Sequence, residues 1–370
     1  MRHAAVLSVV LLAVTGCAAV PRTPYSSSEA ATSRVLEVDG LRRYTDEPIS
    51  KFETERPGPA ATTYLALSGG GADGAYGVGV LNGWTATGTR PTFSVVSGVS
   101  TGGLIAPFAF LGSRYDGVLR ELYTSGIAES LLEDSNPLRV LFGSGLAGNT
   151  RLRELVARYV GTDLIQAIAR EYAKGRRLLV VTTDLDTQRT VIWDMGRIAT
   201  IGTADALNLF RDVMTASASI PLVFPPMLIE AEARGRLFQE MHVDGGVTAP
   251  VLTLPDMFLL QGRGLPKGQH LDIFILINNK IERDFELVRN ASLEVASRSI
   301  ASMTKAQTRS IVFSTYKFAR HNHLGFHLSY IERDYPSATS AGFDTAYMRA
   351  LYQYGYEKAA SGHAWSTTPP

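Results

Sequence analysis

The chain has 370 residues, of which 45% are hydrophobic and 19% charged, with 36 basic against 35 acidic side chains. That length suits a globular body with a full core, and a formal net charge of +1 gives no electrostatic reason to expect nucleic acid as a partner. A DNA- or RNA-binding role is therefore disfavoured.

The first residues read as targeting rather than fold. Met1-Arg2-His3 is a short basic start, Ala4 to Val14 an apolar run, and Thr15-Gly16-Cys17 a small-residue ending, together the pattern of a secretory signal over 1–16. The run is too short to span a bilayer. Val14-Thr15-Gly16-Cys17 resembles a bacterial lipobox, in which the cysteine takes a diacylglyceryl group; the alternative is a plain cleaved signal with an incidental cysteine. Cys17 is the sole cysteine, so no internal disulfide can form. Lipidation at Cys17 implies membrane anchoring without a transmembrane helix. Ala18, which is not aspartate, gives no inner-membrane retention signal of the usual kind, and an outer-membrane location facing the periplasm is favoured. Residues 17–61 read as a tether and lead-in, with Ala18 to Arg34 rich in Ala, Ser, Thr and Pro. The body is expected over 62–370, with no internal repeat and no second-domain boundary.

From Thr62 onward strand-like and helix-like segments alternate. Strands are predicted at Thr63 to Ser68, Thr92 to Ser97, Leu178 to Thr183, Thr190 to Asp194, Met241 to Asp244 and Leu271 to Asn278, several of them β-branched and apolar on both faces as buried parallel strands are. Helical patterns cover Leu104 to Leu111, Leu152 to Val160 and a long stretch from about Phe285 to Arg320. The alternation predicts a layered α/β domain. The glycine-bearing loop Leu138 to Gly148 reads either as a lid or as an ordinary connection.

Gly69, Gly71 and Gly74 fit G-x-G-x-x-G after a strand, the dinucleotide-binding pattern, which calls for an acidic residue about twenty positions on. None exists between Ala75 and Tyr115, which argues against a nucleotide site on this pattern. Next comes Gly98-Val99-Ser100-Thr101-Gly102 between a β-branched run and a helix-like one, the context of a nucleophile elbow at Ser100. A serine needs a base. His321, His323 and His327 follow Asp244 in the order Ser, Asp, His, but they fall at a helix end and along the strand-like alternation of Gly325 to Ile331. The other choice is Asp244 in Met241-His242-Val243-Asp244-Gly245-Gly246, which standing alone would read as a turn. Asp184-Leu185-Asp186 reads as a turn rather than a metal site, and Tyr347, Leu351 and Tyr354 as the buried stripe of a helix.

Taken together, Gly-Gly-Gly, G-x-S-x-G and Asp-Gly-Gly, in that order after strands, resemble the patatin-like phospholipase family over roughly Thr62 to Pro250. The resemblance implies a three-layer α/β/α fold with a mostly parallel central sheet. It implies Ser100 as nucleophile, Asp244 as the other half of a Ser-Asp dyad, and Gly69, Gly70 and Gly71 as the oxyanion hole. It further implies a hydrolase of phospholipid or lysophospholipid esters that needs no metal or cofactor and has membrane lipid as its partner. Ala216 to Pro226 resembles a family segment that packs beside the site. Two positions depart from the family: Asp73 stands where Arg or Lys is usual, and Ala249-Pro250 where Asn-Pro is usual. An acid in the first turn after the glycines should favour the helix dipole and oppose a developing oxyanion. The competing reading from that feature is a non-catalytic lipid-binding lipoprotein.

Overall fold

The structure, a computed structural model, describes residues 22–53, 63–131, 147–262, 270–285, 287–336 and 342–370. Cys17, the leader and most of the Leu138 to Gly148 loop lie outside the described residues.

Among the described residues nine strands form one sheet: β1 (Arg42–Tyr44), β2 (Thr63–Leu67), β3 (Val95–Val99), β4 (Arg177–Asp184), β5 (Arg189–Asp194), β6 (Met227–Ala233), β7 (Arg236–Asp244), β8 (Asp272–Lys280) and β9 (Gly325–Ile331). Their order along the main path is β1-β5-β4-β3-β2-β8-β9. The five strands β4-β3-β2-β8-β9 are parallel, and antiparallel pairs extend the sheet on the β4 side. Parallel strands need both faces covered. On one face Leu65, Leu67, Val96, Leu178, Val180 and Leu276 pack with the helices α1 (Gly74–Ala86), α2 (Thr101–Leu111), α3 (Asp116–Thr124), α4 (Ala147–Tyr159), α5 (Thr162–Ala173), α6 (Met195–Ile201) and α7 (Ala204–Ser217). On the other, Tyr64, Ala66, Val95, Ile273, Ile275 and Ile277 meet Val312 and Phe318 of the long helix α8 (Ser292–His321). Alternate residues of each strand thus serve opposite layers, which makes the three-layer α/β/α fold.

The last helix, α9 (Thr345–Ala360), lies tightly on α1. A Cβ on Gly79 would come within 2.1 Å of the Tyr352 carbonyl oxygen, so the two backbones approach as only glycine permits. That contact fixes the start of α9 beside the start of α1.

The folded body reaches further toward the N-terminus than the boundary near Thr62. Ser26 and Glu29 form a capping box on a one-turn helix, Tyr25 stacks on Phe238, and β1 pairs with β5. Arg42 forms a buried ion pair with Glu240, which it and His242 hold well below the usual carboxylate range against the effect of burial. Strand β6 was also absent from the expected set. Its alternation is plain in hindsight, with Ile229, Ala231 and Ala233 buried, and Arg234-Gly235, both at positive φ, turn it into β7.

Candidate active site

Strand β3 ends at Val99 and the chain turns abruptly into α2 at Ser100. Ser100 has φ 55° and ψ −125°, a conformation that costs a non-glycine residue about 1–3 kcal/mol and persists only where its surroundings enforce it. The flanking glycines make the turn possible. A Cβ on Gly102 would stand 2.4 Å from the Leu67 carbonyl oxygen, and one on Gly98 2.2 Å from that of Gly102. The Ser100 N–H donates to the buried Ser217 hydroxyl at the end of α7 (3.0 Å).

The sheet register explains how Asp244 comes to face Ser100. On one edge β4 pairs with β5 through residues 179–184. On its other edge it pairs with β3 up to Val99↔Val181 and then with β7 from Asp244↔Thr182. A strand has only two edges, so β7 enters from the opposite direction along the row that β3 vacates. The elbow and the Asp-Gly-Gly turn therefore meet head to head across one step of the sheet.

Asp244 is buried (5% exposed). Its Oδ1 accepts the Gly246 N–H (2.7 Å), and its backbone N–H donates to the Ser219 carbonyl (3.0 Å). Its Oδ2, also buried, has no hydrogen-bond partner among the described residues. Burial pushes the carboxyl up to about 6, although the nearby Ser100 hydroxyl and the Gly246 N–H pull it down. The Ser100 hydroxyl is among the groups that lower the carboxyl, with no hydrogen bond of standard geometry to Oδ2; such contacts are often loose before substrate binds.

The glycine loop follows β2 and sits on the end of β8. Asn278 donates its backbone N–H to the Ser68 hydroxyl (2.8 Å) and its Nδ2 to the Ser68 carbonyl (2.9 Å). The Gly69 N–H donates to the Pro250 carbonyl (2.9 Å), so the Ala249-Pro250 segment clamps the loop and Gly69 has no amide to spare. No acceptor among the described residues takes the N–H of Gly70 or of Gly71, whose φ of +56° favours glycine.

Asp73 closes a short 3-10 turn (Gly71–Asp73) before α1, and its side chain caps neither element. Its Oδ1 accepts the hydroxyl of Tyr347 from the first turn of α9 (2.8 Å). Burial raises this carboxyl too, to about 6, against the Tyr347 bond and the charges of Lys280 and Lys305. The sequence showed no signal for this partner, and it placed Tyr347 in a buried stripe where only Leu351 is fully buried. Ser217 and Ser219 were also missed as individual contacts, although they lie in the segment expected beside the site.

A cavity of about 740 Å³, counting space open to solvent, adjoins Gly71, Ser100 and Thr101. Its walls are almost wholly apolar: Leu104 and Phe108 of α2, Leu122 of α3, Val156 of α4 and Met214 of α7. The late histidines are elsewhere. His327 lies on β9, stacked on Phe274 and bonded to Asp272 (3.2 Å) near the amino ends of the parallel strands, three strands from β3. Asp184 accepts from the Asp186 N–H (3.0 Å) and the Thr187 hydroxyl (2.6 Å), a turn.

No curated protein matches significantly. The crystal structure of VipD from Legionella pneumophila is similar over 82% of this chain and 67% of that chain, at 15% identity and a TM-score of 0.37. The family model described as patatin-like phospholipase matches residues 65–255, just over half of the sequence. That span contains the glycine loop, the elbow and the Asp-Gly-Gly turn, and the chain belongs to the patatin-like phospholipase family, a family of lipid acyl hydrolases.

Proposed function

We propose that the protein is a serine acyl hydrolase that cleaves ester bonds of phospholipids or lysophospholipids through a Ser100-Asp244 dyad. The observation that carries this reading is the meeting of β3 and β7 on one row of the sheet, which sets a strained serine against a buried carboxyl beside an apolar cavity. The cavity would take an acyl chain. The Ser100 hydroxyl attacks the ester carbonyl carbon while its proton passes to Asp244 Oδ2. The oxyanion that forms accepts hydrogen bonds from the unused N–H groups of Gly70 and Gly71, each such donor being worth about 3–4 kcal/mol. Collapse expels the alcohol, which takes the proton back from Asp244; a water deprotonated by Asp244 then attacks the acyl-enzyme, and the second collapse releases the fatty acid as Ser100 recovers that proton from Asp244.

A carboxyl at about 6 suits the work better than an ordinary aspartate, because proton transfer is most effective when donor and acceptor are closely matched near working pH. No step calls for a metal or cofactor, and chelators are expected to leave the rate unchanged. Covalent labelling by a fluorophosphonate probe tests the reading: labelling at Ser100 with release of fatty acid from mixed-lipid vesicles supports it, and an unlabelled, inactive protein refutes it. The anchoring expectation is a second part of the proposal, with Cys17 acylated and the domain held at the periplasmic face of the outer membrane. Mass spectrometry of the mature N-terminus decides it, since a free Cys17 would end the lipoprotein reading.

A further inference from the structure

Helix α8 is longer than the sheet it covers. Its 30 residues span about 45 Å, whereas the 9 residues of β8 span about 30 Å. Its C-terminal end is fixed, because Gly325, which begins β9, follows within a few residues and pairs with Asp272 at the amino end of β8. The excess length therefore projects beyond the opposite edge, where β2 delivers the glycine loop and β3 delivers Ser100. Side-chain burial agrees. Among the described residues of α8 the first buried one is Thr308, followed by Val312, Thr315, Phe318 and Ala319.

The projecting part carries apolar side chains into solvent. Phe285 is 94% exposed, Leu287 87% and Met303 64%, with Val295 and Ile300 also exposed. The segment before the helix is pinned to it, since Lys305 bonds Asp284 (2.5 Å) and Arg298 donates to the Asp284 carbonyl (3.2 Å). Phe285 and Leu287 thus sit beside the overhang rather than against the sheet. Next to them Arg283, Arg309 and Arg333 line one shallow depression together with Glu282 and Pro370. The nearby carboxylates Asp284, Glu294 and Glu332 are paired with Lys305, Arg289 and Lys358, and Glu282 is the acid within the depression; exposed aromatic and aliphatic side chains beside the three arginines match the two layers of an anionic lipid surface, apolar chains beneath charged head groups.

We propose that the overhang of α8, with Phe285, Leu287 and the Arg283-Arg309-Arg333 cluster, docks the enzyme on an anionic phospholipid bilayer and turns the carboxyl edge of the sheet toward it. The patch lies on the same edge as Ser100, about 10–15 Å along it by strand spacing. Docking of this kind presupposes that the substrate resides in a bilayer, as proposed above, while the docking itself is measurable without turnover.

The experiment uses the full chain carrying Cys17→Ser and Ser100→Ala, so that neither an acyl anchor nor hydrolysis intervenes, with Phe285→Trp as a local reporter. Vesicles of equal phosphatidylglycerol and phosphatidylethanolamine should move the introduced indole emission to shorter wavelength and make it quenchable by brominated acyl chains. Arg283→Glu with Arg333→Glu should weaken that response about tenfold or more, and added salt should do the same. In the active enzyme, Phe285→Ser with Leu287→Ser should slow hydrolysis of vesicle lipid about tenfold while leaving a soluble short-chain ester unaffected, which also shows that the variant is folded. An indole indifferent to anionic vesicles overturns the proposal, as does a spectral change that appears with protein concentration alone and marks self-association. Equal loss on vesicle and soluble substrates would likewise overturn it. If the wild type hydrolyses no ester at all, the function fails but the indole measurement still decides the docking.

Discussion

Two carboxyls near the site are raised by burial in the same direction and yet differ in their surroundings. Asp244 and Asp73 are both pushed up to about 6 by burial. Asp244 has one oxygen committed to Gly246 and the other buried without a partner among the described residues, on a backbone that the sheet brings to the end of β3. Asp73 lies half-buried at the loop's outer side and accepts the Tyr347 hydroxyl. A raised carboxyl alone therefore does not single out the proposed base: the buried oxygen without a partner, on the strand that meets the elbow, does. Removing each group in turn should separate the two by orders of magnitude.

The largest effect is expected at the dyad. Ser100→Ala and Asp244→Asn should each lower kcat/KM by about 10³-fold or more, and the double variant should be scarcely worse than either, as the proposed dyad requires of two residues acting as one unit. Single-turnover and steady-state rates on a soluble ester check this. Substantial activity in Ser100→Ala, or additive losses in the double variant, would dismantle the assignment.

The pH dependence sharpens the contrast. A carboxyl raised from its unfolded value near 3.8 to about 6 keeps its proton in the native state where the unfolded chain has lost it, so between those values stability falls as pH rises. For buried Asp244 the cost of ionisation at pH 8 is about 2–3 kcal/mol. Asp244→Asn, which retains an oxygen for the Gly246 N–H, should therefore melt several degrees above the wild type at pH 8, with the gap closing toward pH 4. In the wild type kcat/KM should rise through about pH 6 as Asp244 becomes a base. A thermal gap that does not vary with pH would mean that its carboxyl is not the buried acid described.

A smaller loss is expected at Ser217. It supplies the acceptor for the Ser100 N–H at a backbone position held off its comfortable geometry. Ser217→Ala leaves that buried N–H unpaired, at about 1–3 kcal/mol, and should lower kcat about tenfold with KM little changed. Unaltered kcat, confirmed on folded protein, would show that the glycines alone hold the elbow.

Much of this site was legible before any coordinates because its parts are local. The elbow rests on Gly98 and Gly102 touching backbone only a few residues or one strand away, and a Gly-rich break after a β-branched run signals it. What joins the parts is not local. That β7 continues the row of β3 depends on which edge of β4 is left open, a property of the assembled sheet that no spacing encodes. The bond of Tyr347 to Asp73 spans 274 positions. The same holds for the N-terminal lead-in, which composition marks as a tether but which Arg42 and Tyr25 tie to the body through Glu240 and Phe238.

The smallest effect belongs to Asp73, and it tests whether that carboxyl merely sits near the chemistry. At pH 8 it is ionised, and a negative charge near the glycine loop opposes a developing oxyanion. A unit charge placed about 8 Å from an oxyanion is repelled by between about 0.5 kcal/mol with full solvent screening and about 2 kcal/mol at an effective dielectric of 20. Lys280 and Lys305 offset part of it, so the lower end applies and Asp73→Asn should raise kcat/KM about twofold at pH 8. Asparagine keeps an oxygen for the Tyr347 hydroxyl, which isolates the charge from the hydrogen bond. Because Asp73 is already neutral well below pH 6, the ratio of variant to wild type should approach one at pH 5, whatever the absolute rates. Tyr347→Phe removes the bond that lowers this carboxyl, and should move the pH at which the ratio changes upward. The check is a kcat/KM profile of all three proteins on a soluble ester. A fall in activity for folded Asp73→Asn at pH 8 would show that the carboxylate supports the loop where the family usually has Arg or Lys, and that repulsion is the lesser term.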